Sequence, residues 1–147
     1  MKLKTFATAV ALAGAALGSV LAAQGTHDSR IALMKKNGAA AGELVSMAKG
    51  EKPFDADAAK AALSTIAETA KTFPAEFGAG SDKADPEVNP KIWANMDDFK
   101  AKASKLAADA QAALAQPPAD AAAIGPVLKT LGGSCGACHE AYRIKKD

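Results

Sequence analysis

The stretch Asn89-Pro90-Lys91-Ile92-Trp93-Ala94-Asn95-Met96-Asp97-Asp98-Phe99 opens the most regular pattern in the chain. Asn89 offers an N-cap side chain, and Pro90 suits the first helical position, where its missing N–H costs nothing. From there Ile92, Trp93, Met96, Phe99, Ala103, Leu106, Ala110 and Ala113 recur every three or four residues, the stripe of an amphipathic helix that buries one face. Gln116-Pro117-Pro118 ends it.

Outward from this helix, three more segments carry the same period. The first runs from about His27 to Lys49, with Ile31, Met34, Ala41, Val45 and Ala48 on a shared face and Gly50 as its stop. Gly38 and Gly42 weaken it but allow close approach to its surface. The second starts at Asp55 as N-cap, turns Ala59, Ala62, Ile66, Ala70 and Phe73 inward, and ends before Pro74. Residues 74–89, rich in Gly, Ser, Asp, Pro and Asn, read as a long loop. The fourth helix spans about Ala119 to Lys145 through Ile124, Val127, Leu128, Leu131, Cys135, Cys138 and Tyr142, with Gly125-Pro126 and Gly132-Gly133 expected to bend or loosen it. Sustained alternation of apolar and polar residues is absent, so no strand is expected. Four helices in a chain of 147 residues predict an all-α fold, an antiparallel up-down-up-down four-helix bundle.

The N-terminus belongs to a different class of segment. Lys2 and Lys4 precede an apolar run from Phe6 to Val20, followed by Leu21-Ala22-Ala23. A charged start, an apolar stretch short of the ~20 residues a bilayer needs, and small residues at a cleavage position make residues 1–23 a secretory signal peptide. The mature chain is then 24–147, exported to the periplasm, with no membrane span. The formal charge of +2 comes from Lys2 and Lys4, so the mature part is neutral and shows no basis for gripping nucleic acid or anionic lipid. About a quarter of all residues are alanine and few are large, so the core is thin and would gain from a bulky apolar filler.

Both cysteines fall in Cys135-Gly136-Ala137-Cys138-His139, the attachment pattern of haem c. Two thiols one helical turn apart can add to the two vinyl groups of a haem, and the adjacent imidazole of His139 is then held at the iron. One covalent haem c also supplies the missing filler, so the haem-free chain is expected to fold poorly. Zinc is the weaker reading, because only a distant His27 could join Cys135, Cys138 and His139. A thioredoxin-like pair belongs at a helix start after a strand, which this chain lacks. A disulfide across a two-residue gap makes a poor staple.

The bundle topology limits the sixth iron ligand. His139 lies about six residues, or roughly 9 Å, from the end of the fourth helix. Met34 and Met96 lie roughly 10 Å into the first and third helices at the same end of the bundle, whereas Met47, about 30 Å up, is excluded. Ile31, Phe73, Trp93 and Phe99 would line the pocket. Geometry leaves Met34, Met96 and an open iron as alternatives, and a methionine on an apolar stripe is more often packing than a ligand. The only two arginines flank the proposed ligands: Arg30 precedes Met34 by four residues and Arg143 follows His139 by four. Either can pair with a haem propionate; for Arg143, a cation suited to a helix C-terminus is an equal reading.

The tail Cys135-Gly136-Ala137-Cys138-His139-Glu140-Ala141-Tyr142-Arg143 and the opening Ile92-Trp93-Ala94-Asn95-Met96-Asp97-Asp98-Phe99 resemble the class II cytochromes c, the cytochrome c′ family. Leu33-Met34-Lys35-Lys36-Asn37-Gly38 and Ala48-Lys49-Gly50-Glu51-Lys52-Pro53-Phe54-Asp55 are similar to its low-spin branch. The resemblance spans essentially the whole mature chain. It implies Met34 as the sixth ligand, Met96 as pocket wall, and Arg30 as the propionate contact. It also implies a homodimer as a state open to this chain.

The function expected is electron transfer in the periplasm, with no substrate chemistry: one haem c held by Cys135 and Cys138, bound axially by His139 and Met34, cycling Fe(III)/Fe(II) with redox partner proteins. The alternative is a five-coordinate cytochrome c′ that binds nitric oxide or carbon monoxide at an open distal site. A thiol oxidoreductase without haem is a third reading. Lys35, Lys36, Lys145 and Lys146 read as solvated faces or as part of a partner-docking surface.

Overall fold

The computed structural model describes residues 25–78, 81 and 88–144. Residues 1–23, expected to be a signal peptide, most of the 79–87 connection and Lys145 and Lys146 lie outside the described residues. Helix α1 is His27–Ala48, α2 is Ala56–Thr72, α3 is Lys91–Ala94, α4 is Met96–Ala115 and α5 is Ala121–Tyr142, with a 3-10 helix at Phe73–Phe77. Helix α2 packs between α1 and α4, and α5 closes the ring against α4 and α1. The short α3 and the long α4 together form the third arm of the four-helix bundle.

Local chemistry sets most of the boundaries. Thr26 and Ser29 form a reciprocal capping box at the start of α1. At its other end Gly50 takes φ 73°, the left-handed conformation a glycine enters without strain. The Asp55 carboxylate accepts from the Asp57 and Ala58 amides, and that of Asp120 from the Ala123 amide. Helix α5 runs through Gly125-Pro126 and Gly132-Gly133 without interruption, so the expected loosening there does not occur. Pro126, the sixth residue of the helix, forgoes the one ladder bond its N–H would make to the Ala122 carbonyl, and the helix continues past it.

Three other expectations change. The third helix divides at Asn95, whose φ −133° and ψ 44° leave the helical region. There its side-chain Nδ2 donates to Lys91 O at 3.0 Å, a local bond of the kind by which Asn competes with the helix ladder. On α1 the buried residues are Arg30, Asn37, Ala40, Leu44 and Met47, a stripe turned by about one position from the expected one. Alanine and glycine give this helix little apolar contrast, and two polar residues occupy the inner face, so periodicity alone did not set the angle. Gly38 and Gly42 face open space, with nothing within 4 Å of a built Cβ, so nothing uses the approach they allow among the described residues.

The main core joins Leu44 and Met47 of α1, Leu63 and Ile66 of α2, and Ile124 and Leu131 of α5. Between α2 and α4 the buried positions are mostly alanine: Ala59, Ala62, Ala67 and Ala70 on one side, Ala103, Ala107 and Ala110 on the other. Small side chains let two helices approach closely, which is where the alanine content finds its use.

Candidate functional site

A second, aromatic cluster occupies the end of the bundle where α5 finishes. Phe77, Ile92, Phe99 and Tyr142 are buried, and Phe73, Val88, Trp93, Met96, Cys138 and Ala141 pack on them. Phe99 meets Tyr142 and Phe77 edge to face, at 5.3 and 4.8 Å between centroids. Cys138 is therefore set in an aromatic wall with Phe73, Trp93 and Phe99, three of the four expected pocket residues. Ile31, the fourth, is 37% exposed on α1 and outside this cluster.

Helix α5 carries Ser134, Cys135, Cys138, His139 and Tyr142 through its last turns. Both thiols are free and half-buried. Two hydroxyl-to-carboxylate bonds tie this segment to α4. The Tyr142 hydroxyl donates to Asp98 Oδ2 at 2.5 Å, and that of Ser134 to Asp109 Oδ2 at 2.5 Å. They bracket the Cys-x-x-Cys-His run, one just before it and one just after. Each carboxylate also holds a lysine one turn along α4, Lys102 at 3.3 Å and Lys105 at 2.8 Å.

Electrostatics follow from these contacts. The Tyr142 hydrogen bond holds Asp98 below the usual carboxylate range, and in return pushes Tyr142 up to about 12. Burial works against ionisation of Asp109, yet the Lys105 and Ser134 hydrogen bonds leave it lowered. Burial raises both Cys135 and Cys138. A redox-active thiol pair needs lowered values and a helix N-terminus, and these lie at a helix C-terminal end. Burial, then the Arg143 charge, lowers His139, which favours the neutral imidazole that can bind a metal.

Arg30 is 4% exposed. Its guanidinium donates to Glu76 O at 2.8 and 3.1 Å and to Gly25 O at 3.3 Å, and lies 4.3 Å from the Phe77 ring centroid. A Cβ on Gly25 would meet Glu76 O at 2.2 Å, so this glycine permits the approach that brings the start of α1 onto the 3-10 helix. Met34, one turn further along, is half-buried. Met96 lines a groove between α2 and α4 together with Ala70, Pro74, Phe77 and Trp93.

Sequence reasoning passed over Phe77, Asp98 and Asp109. For Phe77 a signal exists: Phe73-Pro74 with a second aromatic at i+4 is one turn of helix with an apolar face. The two aspartates sit on the polar face of a helix and carry no signal until α5 is placed beside them.

A bundle whose last helix presents two half-buried thiols one turn apart, followed by a histidine and backed by aromatic rings, has the donor set of a haem c protein. The Nε1 of Trp93 adds to the fit, being buried with no hydrogen-bond partner among the described residues; an acidic group of a cofactor would satisfy it. A family model described as Cytochrome C′ matches residues 26–143, and the chain belongs to the cytochrome c′ family. It is 68% identical over 123 residues to cytochrome c-556 of Agrobacterium tumefaciens (strain apple 185), covering 84% of this chain and 98% of that one. Among solved structures it is similar to cytochrome c′ from Rhodopseudomonas palustris, with 34% identity, 82% of this chain and 96% of that one covered, and a TM-score of 0.75. An NMR-validated structure of oxidised R. palustris cytochrome c556 also matches, with 34% identity, the same coverage and a TM-score of 0.71. Members of this family bind haem c covalently, and Cys135-Gly136-Ala137-Cys138-His139 is the motif that takes it.

Proposed function

We propose that this protein is a periplasmic one-electron carrier whose haem is anchored by Cys135 and Cys138 and bound axially by His139 and Met34. When bound, the haem supplies a one-electron Fe(III)/Fe(II) couple; substrate turnover has no part in the reading. The observation that carries it is the placement of α5 between α1 and α4. A side chain facing His139 across the haem must come from one of these two helices. Met96 of α4 is already packed on the aromatic cluster and borders the groove with Ala70 and Pro74, while Met47 is buried in the main core. Met34 is the methionine left on α1 with its side chain half-buried.

The other residues take supporting roles. Trp93, Phe99 and Ile31 exclude water, the last once the haem covers it. Arg30 and the Trp93 N–H are donors for propionate, Arg30 exchanging a carbonyl partner for the anion. A homodimer is part of the same reading, since the exposed α1 face around Gly38 and Gly42 is free of bulk.

The test is the visible spectrum of the exported holoprotein and of Met34→Ala. Wild type should show the low-spin ferric spectrum with its methionine-to-iron charge-transfer band, and Met34→Ala should lose the band and open the ferrous iron to carbon monoxide. An unchanged spectrum in Met34→Ala, with loss of the band in Met96→Leu, would transfer the role to Met96. A wild type without the band would favour the five-coordinate reading, with gas binding as the function.

A further inference from the structure

Beside the haem-attachment segment, the seam between α4 and α5 holds a groove of about 410 Å³. Lys102 and Lys105 border it from α4, and Lys129, Gly133, Ser134 and Ala137 from α5; no carboxylate lines it. Of the two α4 acids beside it, Asp109 is 15% exposed and turned to Ser134 and Lys105, and Asp98 is 54% exposed and paired with Lys102, whereas the Lys105 side chain is 64% exposed. Lys129 makes no ion pair among the described residues. Three ammonium groups thus border the groove, two of them also paired with an aspartate of α4 that stands outside its lining.

Its position links it to the redox centre. Ser134 precedes Cys135 and Ala137 precedes Cys138, so the groove borders the haem-attachment run itself. The α5 surface between them is bare: a Cβ at Gly132, Gly133 or Gly136 would meet nothing within 4 Å. A partner side chain can thus settle against the α5 backbone within one turn of both haem anchors.

We propose that this α4–α5 groove is the docking surface for the acidic face of a redox partner protein, with Lys102, Lys105 and Lys129 receiving its carboxylates. The assignment rests on the electron-carrier reading above and adds the place and charge of the encounter. Lysines bordering an open groove suit a brief, electrostatically steered contact, which needs attraction at a distance more than a large buried area. Each of the ion pairs of Lys102 and Lys105 has one exposed partner, Asp98 at 54% and Lys105 at 64%, which leaves it open to exchange with a partner's acid.

The test uses the holoprotein and poly-L-glutamate as a stand-in for an acidic surface, followed by amide NMR shifts at low salt. Shifts should cluster at Thr130, Gly133, Ser134 and Ala137. Binding should weaken by roughly tenfold in Lys102→Glu/Lys105→Glu/Lys129→Glu, a difference that shrinks as salt screens the charges. Lys129→Glu alone, at a solvent-facing site without an ion pair, should show a smaller loss and serves if the triple variant is unstable. Shifts centred on Lys35 and Lys36 of α1, or equal binding by both variants, would overturn the assignment. Oxidation of the same samples by ferricyanide, with the haem spectrum recorded, tests the carrier reading separately: a haem that does not exchange electrons counts against that reading, whereas misplaced binding counts only against the groove.

Discussion

The Tyr142 hydroxyl, three residues beyond His139, donates to the Asp98 carboxylate at 2.5 Å and so joins the last turn of α5 to the first turn of α4. Its pH dependence has two limbs. The hydrogen bond to Asp98 pushes Tyr142 up to about 12, from an ordinary tyrosine value near 10. Its contribution to stability is complete below pH 10 and is lost as pH rises from 10 through 12. Asp98 is lowered, so its contribution is present above the ordinary carboxylate value and is lost as pH falls through the lowered one. Tyr142→Phe should flatten both limbs of a melting-temperature profile and return Asp98 to the ordinary carboxylate range. Tyr142 is the chain's one tyrosine, so a ¹³Cζ NMR titration reads its pKa without overlap.

Arg30→Leu should destabilise the holoprotein. Arg30 is buried, and removing its guanidinium strands the Glu76 and Gly25 carbonyls and strips the cation from the Phe77 face. A loss of about 1–3 kcal/mol is expected for such unsatisfied buried groups, read from denaturant midpoints. Arg30→Lys should recover only part of it, because an ammonium cannot reproduce the forked donation to Glu76. Equal stability of wild type and Arg30→Leu would show that the contact between α1 and the 3-10 helix does not depend on this residue.

Cys135→Ala/Cys138→Ala removes the covalent anchors and leaves the helices to fold on their own apolar residues. The α2–α4 seam is mostly alanine, and burying an alanine yields far less than burying a leucine or a haem. The double variant should keep much of its helical circular dichroism but melt broadly and at lower temperature than the holoprotein. A sharp, cooperative transition near that of the holoprotein would mean that the protein core suffices.

The helix N-terminus at Asp55, the stop at Gly50 and the haem-binding run at 135–139 were all readable from the chain, because each depends on residues a few positions apart. Proximity in sequence also made Met34 and Met96 equal candidates: both sit at the right height. In the folded chain the two differ in packing: Met96 lies on the aromatic cluster, and Met34 is half-buried on a helix beside α5. The break at Asn95 was hidden for a related reason. Its bonds to Lys91 and from Tyr142 involve one local partner and one 47 residues away, and the apolar period continues through it unchanged.

Sequence by itself thus determined the helices, the fold class and the haem c motif, because capping, 3.6-residue periodicity and a Cys-x-x-Cys-His run are short-range properties of the chain. Tertiary structure alone decided which faces are buried. It sent Arg30 and Asn37 inward on α1, paired Ser134 with Asp109 and Tyr142 with Asp98, and gathered Lys102, Lys105 and Lys129 beside the haem anchors. Those outcomes depend on packing between segments far apart in the chain, where alanine-rich helices give little apolar contrast and hydrogen bonds across the seam settle the angle.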